Sequence, residues 1–151
     1  MKIGVLSDTH VYLAEEIPQG IVRALANVDL IVHAGDFVDV AVLEGLKRLG
    51  EVKAVHGNMD SMQLKDLLPE KELLVAEGKK IGIIHGWGGP EGIEQKIRAR
   101  FGDVDIIIYG HSHRAGIERI GDVLFFNPGP GFYSFGILTI EEEVKGEIIR
   151  I

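Results

Sequence analysis

The chain has 151 residues, of which 46% are hydrophobic, enough for a single globular domain over residues 1–151 with a sizeable core. A net charge of −7 without a basic cluster argues against a protein that binds long nucleic acid through its phosphates. The absence of cysteine excludes disulfides and thiolate metal sites. No apolar run reaches the roughly 20 residues that span a bilayer, and no signal peptide is recognised. The default expectation is therefore a cytoplasmic protein without membrane contact.

The first two thirds of the chain alternate apolar runs with stretches of helical periodicity. Largely apolar runs predict strands buried on both faces. These predicted strands are 3–6, 30–32, 52–55, 73–76, 81–84 and 106–109, the fourth and fifth joined as a hairpin at Glu77-Gly78. The predicted helices are 17–27, Asp39 to Gly50 with Asp39 as N-cap, 60–68 (helix or loop), and Pro90 to Gly102.

The C-terminal third has a different pattern. Residues 115–120, 123–126, 134–140 and 144–151 are predicted to be strands joined by tight turns, with no helix between them. The order is thus βα units followed by a β meander, whose strands are expected to build a second sheet packed on the first. Because each element must bury its apolar face, this order predicts an α/β architecture of two packed sheets with helices outside.

Polar side chains follow five of the predicted strands at the point where each strand ends. These segments are Ser7-Asp8-Thr9-His10, His33-Ala34-Gly35-Asp36, His56-Gly57-Asn58, His85-Gly86 and Gly110-His111-Ser112-His113. The carboxyl ends of strands in an α/β sheet open into a shared crevice, so these side chains are expected to converge. The candidate ligands are Asp8, His10, Asp36, Asn58, His85, His111 and His113. Carboxylate, amide and imidazole ligands suit divalent Mn, Fe, Ni or Zn, and this many ligands suits two ions that share one carboxylate.

The same residues resemble the motifs of a known family. Asp8-x-His10, Gly35-Asp36-x-x-Asp39, Gly57-Asn58-x-Asp60, His85 and Gly110-His111-x-His113 resemble the calcineurin-like metallophosphoesterase family, and most closely its small single-domain phosphodiesterase branch. The resemblance runs from Met1 to about Gly129. It implies a four-layer αββα sandwich of two packed mixed β-sheets flanked by helices.

The resemblance also implies how the ligands divide between two metal ions. Asp8, His10, Asp36 and His113 would hold the first ion, and Asp36, Asn58, His85 and His111 the second, with Asp36 as the bridge. Asp36, Asn58 and His111 are the residues expected to take the largest part in catalysis. The implied activity is hydrolysis of a small phosphate ester by a hydroxide that bridges the ions and attacks phosphorus in line.

Two positions depart from the family pattern. Many members carry a histidine after the motif asparagine, where it can protonate the leaving oxygen, but this chain has Met59. Because such a general acid contributes about 10²–10⁴-fold, phosphodiesters and good leaving groups are expected to be favoured over monoesters. Asp60, which would orient that histidine, is left at most as a cap. Where many relatives have a further histidine, this chain has Trp87, which either packs or offers a flat wall to a base.

Several other residues receive supporting interpretations. Asn127, in Asn127-Pro128-Gly129, resembles a family loop near the site and is a weak substrate-binding candidate beside Trp87. His33 and His56 have no place in the motifs and are predicted to be hydrogen-bonded supporting histidines rather than ligands.

Two alternative functions remain. One relative in the family, the retromer subunit, is a non-catalytic scaffold with a degenerate metal site. A metal-binding scaffold or interaction module of this kind predicts lost ligands, whereas here none is lost. A weak nuclease or cyclic nucleotide hydrolase is the other alternative. The aromatic segment Phe132–Phe135 also permits a homo-oligomer.

Overall fold

The computed structural model describes residues 1–151 and contains ten strands and four α-helices. The strands are β1 (Lys2–Leu6), β2 (Leu30–His33), β3 (Val52–Ala54), β4 (Lys71–Ala76), β5 (Lys79–Ile84), β6 (Ile106–Ile108), β7 (Gly116–Ile120), β8 (Val123–Asn127), β9 (Ser134–Ile140) and β10 (Val144–Arg150). The helices are α1 (Gln19–Leu25), α2 (Val40–Leu49), α3 (Met62–Leu67) and α4 (Ile93–Arg98), and a 3-10 turn spans Ala14–Glu16. The predicted order of βα units followed by strands without intervening helices is confirmed. The predicted meander is wrong, because β7 and β8 form a hairpin in one sheet whereas β9 and β10 form a hairpin in the other.

The strands form two mixed five-stranded sheets. The first has the order β10-β9-β1-β2-β3, and the second has the order β4-β5-β6-β8-β7. In the first sheet β1, β2 and β3 run parallel, and β9 pairs antiparallel with β1. In the second sheet β5, β6 and β8 run parallel, and β4 and β7 pair antiparallel at the edges.

Three apolar cores separate the layers. Ile3 and Val5 of β1 face the second sheet and join a core that includes Ile83 and Phe126. Leu6 faces the other way, in a second core with residues of α1, α2 and α3. A third core packs α4 against the outer face of the second sheet. Because side chains alternate between the two faces of a strand, the buried strands serve two cores at once. The α/β fold, an αββα sandwich, is confirmed.

Two local predictions hold at the level of hydrogen bonds. The side chain of Asp39 accepts a hydrogen bond of 2.9 Å from the Ala41 amide and so caps α2, and Gly50 ends that helix. β4 and β5 form the predicted hairpin, whose turn at Glu77-Gly78 has φ of 49° and 79°.

Other boundaries differ from the predictions. Residues 60–68 contain a true helix, which begins after Ser61 because the Ser61 hydroxyl accepts from the Leu64 amide. α4 does not begin at Pro90. It begins after Gly92, which has a left-handed φ of 71°, so the residues from Pro90 to Gly92 belong to the preceding loop. No helix of the structure has the length and apolar character needed to cross a membrane.

Candidate metal centre

The candidate ligands lie on loops that follow the carboxyl ends of parallel strands. The loops after β1 and β2 are joined by backbone hydrogen bonds, from the Asp8 amide to the Gly35 carbonyl (2.9 Å) and from the His10 amide to the Asp36 carbonyl (3.1 Å). The loop after β6 joins the loop after β5 through a bond of 3.1 Å from the Gly110 amide to the His85 carbonyl. The strand order therefore delivers polar residues of both sheets to one edge of the sandwich, as expected for a shared crevice.

Five of the predicted ligands converge on one point. Asp8 Oδ1 lies 3.3 Å from His113 Nε2 and 3.7 Å from the Nε2 atoms of His10 and His85. Asp36 Oδ2 lies 3.2 Å from His85 Nε2 and 3.5 Å from His10 Nε2. The ligand atoms form two groups that could each hold an ion, Asp8 with His10 and His113, and Asp8 with Asp36 and His85. Asp8 is common to both groups, while Asp36 Oδ2 lies between a histidine of each.

Three atoms of this cluster are buried and have no hydrogen-bond partner. They are Asp8 Oδ1, His10 Nε2 and His85 Nε2. A buried polar atom without a partner costs about 1–3 kcal/mol, so their convergence favours a bound group at this point. The tautomer of His85 indicates what kind of group binds here. Its Nδ1 lies 2.8 Å from the Ala34 carbonyl and must carry the proton in that hydrogen bond. The Nε2 lone pair therefore faces the cluster, as in metal-binding histidines held by a carbonyl. The oxygen and nitrogen donors fit a divalent cation.

His111 and Asn58 lie on the side of the cluster nearest His85. The His111 ring is 5.2 Å from the His85 ring, and its Nε2 lies 2.8 Å from the Gly88 carbonyl. Since Nε2 donates to that carbonyl, Nδ1 is the nitrogen that carries a lone pair. The His111 amide also donates to Asp8 Oδ2 at 3.1 Å. Asn58 is exposed at the rim, where it lines the same cavity as His85, and is not part of the tight cluster.

The backbone of the candidate ligands is unusual. Asp8, His10, Asp36, His111 and His113 all have positive φ, between 47° and 67°. Non-glycine residues adopt this left-handed region rarely, and each such residue costs about 1–3 kcal/mol. Five strained residues in one cluster are typical of a site whose geometry is imposed by the surrounding structure for a function.

The charges of the cluster favour anionic carboxylates. Burial alone would raise the pKa of Asp8 and of Asp36. The imidazoles of His10 and His85 lower the pKa of Asp8, and the His85 imidazole together with the Met59 amide lowers the pKa of Asp36. The Asp8 carboxylate raises the pKa of His10. Burial works against protonation of His85, but the Asp36 carboxylate outweighs it and raises the pKa of His85 as well. The centre therefore presents negative charge that a cation can neutralise in place of imidazole protons.

Asp60 has a role that the sequence did not reveal. It is buried, and its carboxylate accepts three backbone amides, from Asp36 (3.0 Å) and Gly57 (2.7 Å) at Oδ2 and from Val38 (2.7 Å) at Oδ1. The prediction that Asp60 is at most a cap is wrong, because it ties the loop after β2 to the loop after β3. In the sequence, this role is indicated by the place of Asp60 in the motif Gly57-Asn58-x-Asp60.

We expect Asp60→Asn to weaken metal binding without touching a ligand. The new amide group would place an N–H against backbone N–H donors, and each donor left without an acceptor costs about 1–3 kcal/mol. Loss of such supporting contacts typically lowers metal affinity about 10–100-fold. Titration with a competing chelator measures this, and Asp66→Asn, at an exposed position of α3, is the matched control. Unchanged metal affinity in Asp60→Asn would contradict the positioning role.

The two supporting histidines differ. His33 is fully buried, accepts the Gly35 amide at Nδ1 (3.1 Å) and lies 3.1 Å from Thr9 Oγ1 through Nε2. Its ring stacks on Phe37 at 3.5 Å, and burial lowers its pKa to about 3. The prediction of a hydrogen-bonded supporting histidine is confirmed for His33. The ring of His56 makes no hydrogen bond within the protein and lines the cavity beside Asn58, so for His56 only the predicted hydrogen bond is wrong.

The two candidate substrate residues also differ. Asn127 is fully buried, where Nδ2 donates to the Gly110 carbonyl (3.3 Å) and to Ser112 Oγ (3.0 Å), and Oδ1 accepts the Gly129 amide (3.0 Å). Through these contacts Asn127 stabilises the loop after β6, which carries His111 and His113, and its polar atoms are not available to a substrate. Trp87 is 41% exposed and lines the cavity next to the centre.

Comparisons with known proteins identify a family. A family model described as the calcineurin-like phosphoesterase superfamily domain matches residues 1–139. The chain is 40% identical to the probable metallophosphoesterase MJ0623 of Methanocaldococcus jannaschii, over 100% of this chain and 82% of that protein. It is 32% identical to phosphodiesterase MJ0936 of the same organism, over 99% of each. Among solved structures, wild-type Vps29 of Entamoeba histolytica complexed with zinc has a TM-score of 0.76 at 28% identity, over 99% of each chain.

Proposed function

The chain belongs to the calcineurin-like phosphoesterase superfamily, and from this membership we propose that it hydrolyses small phosphodiesters with two divalent metal ions. The observation that carries the proposal is the convergence of three buried, unpartnered ligand atoms, Asp8 Oδ1, His10 Nε2 and His85 Nε2. A related protein of nearly the same length is named a phosphodiesterase, which supports the reaction class.

We assign the ligands to the ions as the family motifs indicate. The first set is Asp8, His10, Asp36 and His113, and the second is Asp36, Asn58, His85 and His111. Divalent ions bound here would stabilise charge on the phosphoryl oxygens and supply an activated water for in-line displacement. Mn, Ni, Fe and Zn are the candidate ions, and a zinc complex of the Entamoeba Vps29 structure is consistent with this donor class.

The residues of the chain contribute preorganisation. Asp36 is fixed at Oδ1 by the Met59 amide (2.8 Å), which leaves Oδ2 directed at His10 and His85. His85 is oriented by the Ala34 carbonyl, as His111 is by the Gly88 carbonyl. Because these groups are held before substrate binds, they need no reorganisation during the reaction, which is the main source of electrostatic catalysis.

The preference for diesters follows from the residue beside Asp36. Met59 occupies the position of the family's general acid and cannot donate a proton. A poor leaving group then departs without protonation, at a loss of about 10²–10⁴-fold. Phosphodiesters with stable leaving groups depend less on this proton, so they are the proposed substrates.

The proposal is tested with purified protein that has been stripped of metal and then reloaded. We expect bis-p-nitrophenyl phosphate to be hydrolysed with added Mn or Ni, the activity to disappear with a chelator, and metal analysis to give two ions per chain. A clean, metal-loaded preparation that turns over neither diesters nor monoesters with any of the four metals would favour the scaffold function instead.

A further inference from the structure

A cavity of about 460 Å³ adjoins the metal centre on the side formed by Asn58 and His85. We call it the Trp87 cavity, and the lining residues that matter here are Asn58, Lys65, Glu70, His85, Trp87 and Arg100. Small-molecule sites occupy roughly 300–1,000 Å³, so this volume suits one substituent of a substrate rather than a polymer. Because Asn58 and His85 line it, a phosphoryl group held at the second ion would project a substituent into the Trp87 cavity.

Both the backbone and the indole ring of Trp87 are held by neighbouring side chains. Its carbonyl accepts a hydrogen bond of 2.8 Å from Lys96 Nζ, and the next carbonyl, of Gly88, accepts one of 2.8 Å from His111 Nε2. The indole ring lies 5.7 Å from Lys96 Nζ and 5.8 Å from Arg100 Cζ, at cation–π distance. Anchored in this way, the residue is still 41% exposed. It is therefore a rigid aromatic surface at the wall of the cavity.

The Trp87 cavity also contains two positively charged side chains, those of Lys65 and Arg100. Lys65 Nζ donates to the Asn58 carbonyl at 3.3 Å, which leaves further ammonium donors available. Arg100 is paired with Glu70 through one nitrogen, at 2.9 Å, and a guanidinium has five N–H donors in all. Two cations beside an aromatic wall match a ligand that combines a planar ring with acceptor or anionic oxygens.

We infer that the Trp87 cavity binds the non-leaving substituent of a nucleoside phosphodiester, with the base on Trp87 and sugar or phosphate oxygens near Lys65. The inference rests on the proposed function, because that function sets where the phosphoryl group lies. Stacking of a base on an aromatic side chain contributes about one to two powers of ten in affinity. The cavity thus selects a substrate class that the metal ligands alone do not.

The first test uses fluorescence, because Trp87 is the one tryptophan of the chain. Zinc-loaded protein is titrated with thymidine 5′-monophosphate and, separately, with deoxyribose 5-phosphate, which lacks the base. We expect saturable quenching by the nucleotide at a concentration at least about tenfold lower than any effect of the sugar phosphate. Equal affinity for both compounds, or no saturable change with the nucleotide, would overturn the inference.

The second test compares two diesters that share one leaving group. These are the p-nitrophenyl ester of thymidine 5′-monophosphate and methyl p-nitrophenyl phosphate. We expect wild type to prefer the thymidine ester in kcat/KM, Trp87→Leu to lower that preference about tenfold, and Trp87→Phe to retain most of it. Tyr133→Leu removes an aromatic ring that is 70% exposed and outside the cavity, so it should leave the preference unchanged.

The outcomes separate the inference from the proposed function. An equal loss on both diesters in Trp87→Leu would overturn the inference, since it would place the shared p-nitrophenyl group on Trp87. Absence of turnover with either diester in wild type would remove the proposed function, while the fluorescence titration would still decide whether the Trp87 cavity binds a base.

Discussion

Replacement of Asp36 by asparagine is expected to abolish most metal binding and to lower turnover of bis-p-nitrophenyl phosphate by at least about 10²–10³-fold, the usual loss when one electrostatic stabiliser leaves an active site. The reason is the position of Asp36 Oδ2, 3.5 Å from His10 Nε2 and 3.2 Å from His85 Nε2, between the two proposed ligand sets. Asparagine keeps the shape of the side chain but removes the negative charge that both ions would share.

The measurement combines metal analysis, thermal unfolding and kinetics. Metal that binds only the folded wild-type protein raises its unfolding temperature by mass action, and this rise should be lost in Asp36→Asn. Asp39→Asn is the matched control, since it lies in the same motif but caps α2, and asparagine is as good an N-cap as aspartate. Metal content and turnover at the wild-type level in Asp36→Asn would show that Asp36 does not bridge the ions.

The part of the centre that could be predicted follows from strand direction. An apolar run followed by a polar residue indicates a strand end, and parallel strands of one sheet end at the same edge. Asp8, Asp36 and His85 follow strands that are parallel to their neighbours, and the structure brings their ligand atoms within a few ångströms. Ile3 and Leu6 of β1 pack in two different cores, as expected for a strand that is apolar on both faces.

The part that could not be predicted depends on contacts between loops. The three amides bound by Asp60 come from Gly57 nearby and from Asp36 and Val38, which are 24 and 22 residues away, so no local pattern records them. The motif likewise indicates Asn127 as a residue near the site, but its burial follows from its hydrogen bonds to the loop after β6. Periodicity predicts which face of an element is buried, and it does not predict which backbone amide meets a given side chain.

The start of α4 was missed for the same reason. Proline at a first helical position is a good signal, yet the segment from Gly86 to Gly92 is used as an ordered loop. The carbonyls of Trp87 and Gly88 are held by Lys96 and His111, which keeps the loop beside the metal centre. Contacts of the loop with Lys96 and His111 thus outweigh the local helix signal.

Introduction of histidine at Met59 is expected to add the proton donor that the centre lacks. The Met59 side chain is 56% exposed, and its backbone amide holds Asp36 Oδ1 at 2.8 Å, so a new imidazole would emerge beside the reacting phosphoryl group without disturbing the core. General acid catalysis contributes about 10²–10⁴-fold. We expect hydrolysis of unactivated monoesters to rise toward the lower end of this range, with metal content unchanged.

A rate gain at the lower end of the range is expected because of Asp60. A carboxylate offers about four lone-pair positions, and three backbone amides already occupy Asp60. At most one position remains to orient the new imidazole, so its alignment is weaker than that of a histidine with a dedicated carboxylate.

The gain should also depend on pH, since an acid catalyst works only while protonated. With an ordinary histidine pKa of about 6.5, the added activity of Met59→His should be present below that pH and disappear as pH rises through it. Met62→His is the control, because Met62 is 72% exposed on α3, whereas it is the Met59 amide that contacts the Asp36 carboxylate. If both variants gain equally, or if the gain in Met59→His persists at high pH, the missing proton donor is not the basis of the proposed diester preference, and the Trp87 cavity becomes its remaining structural basis.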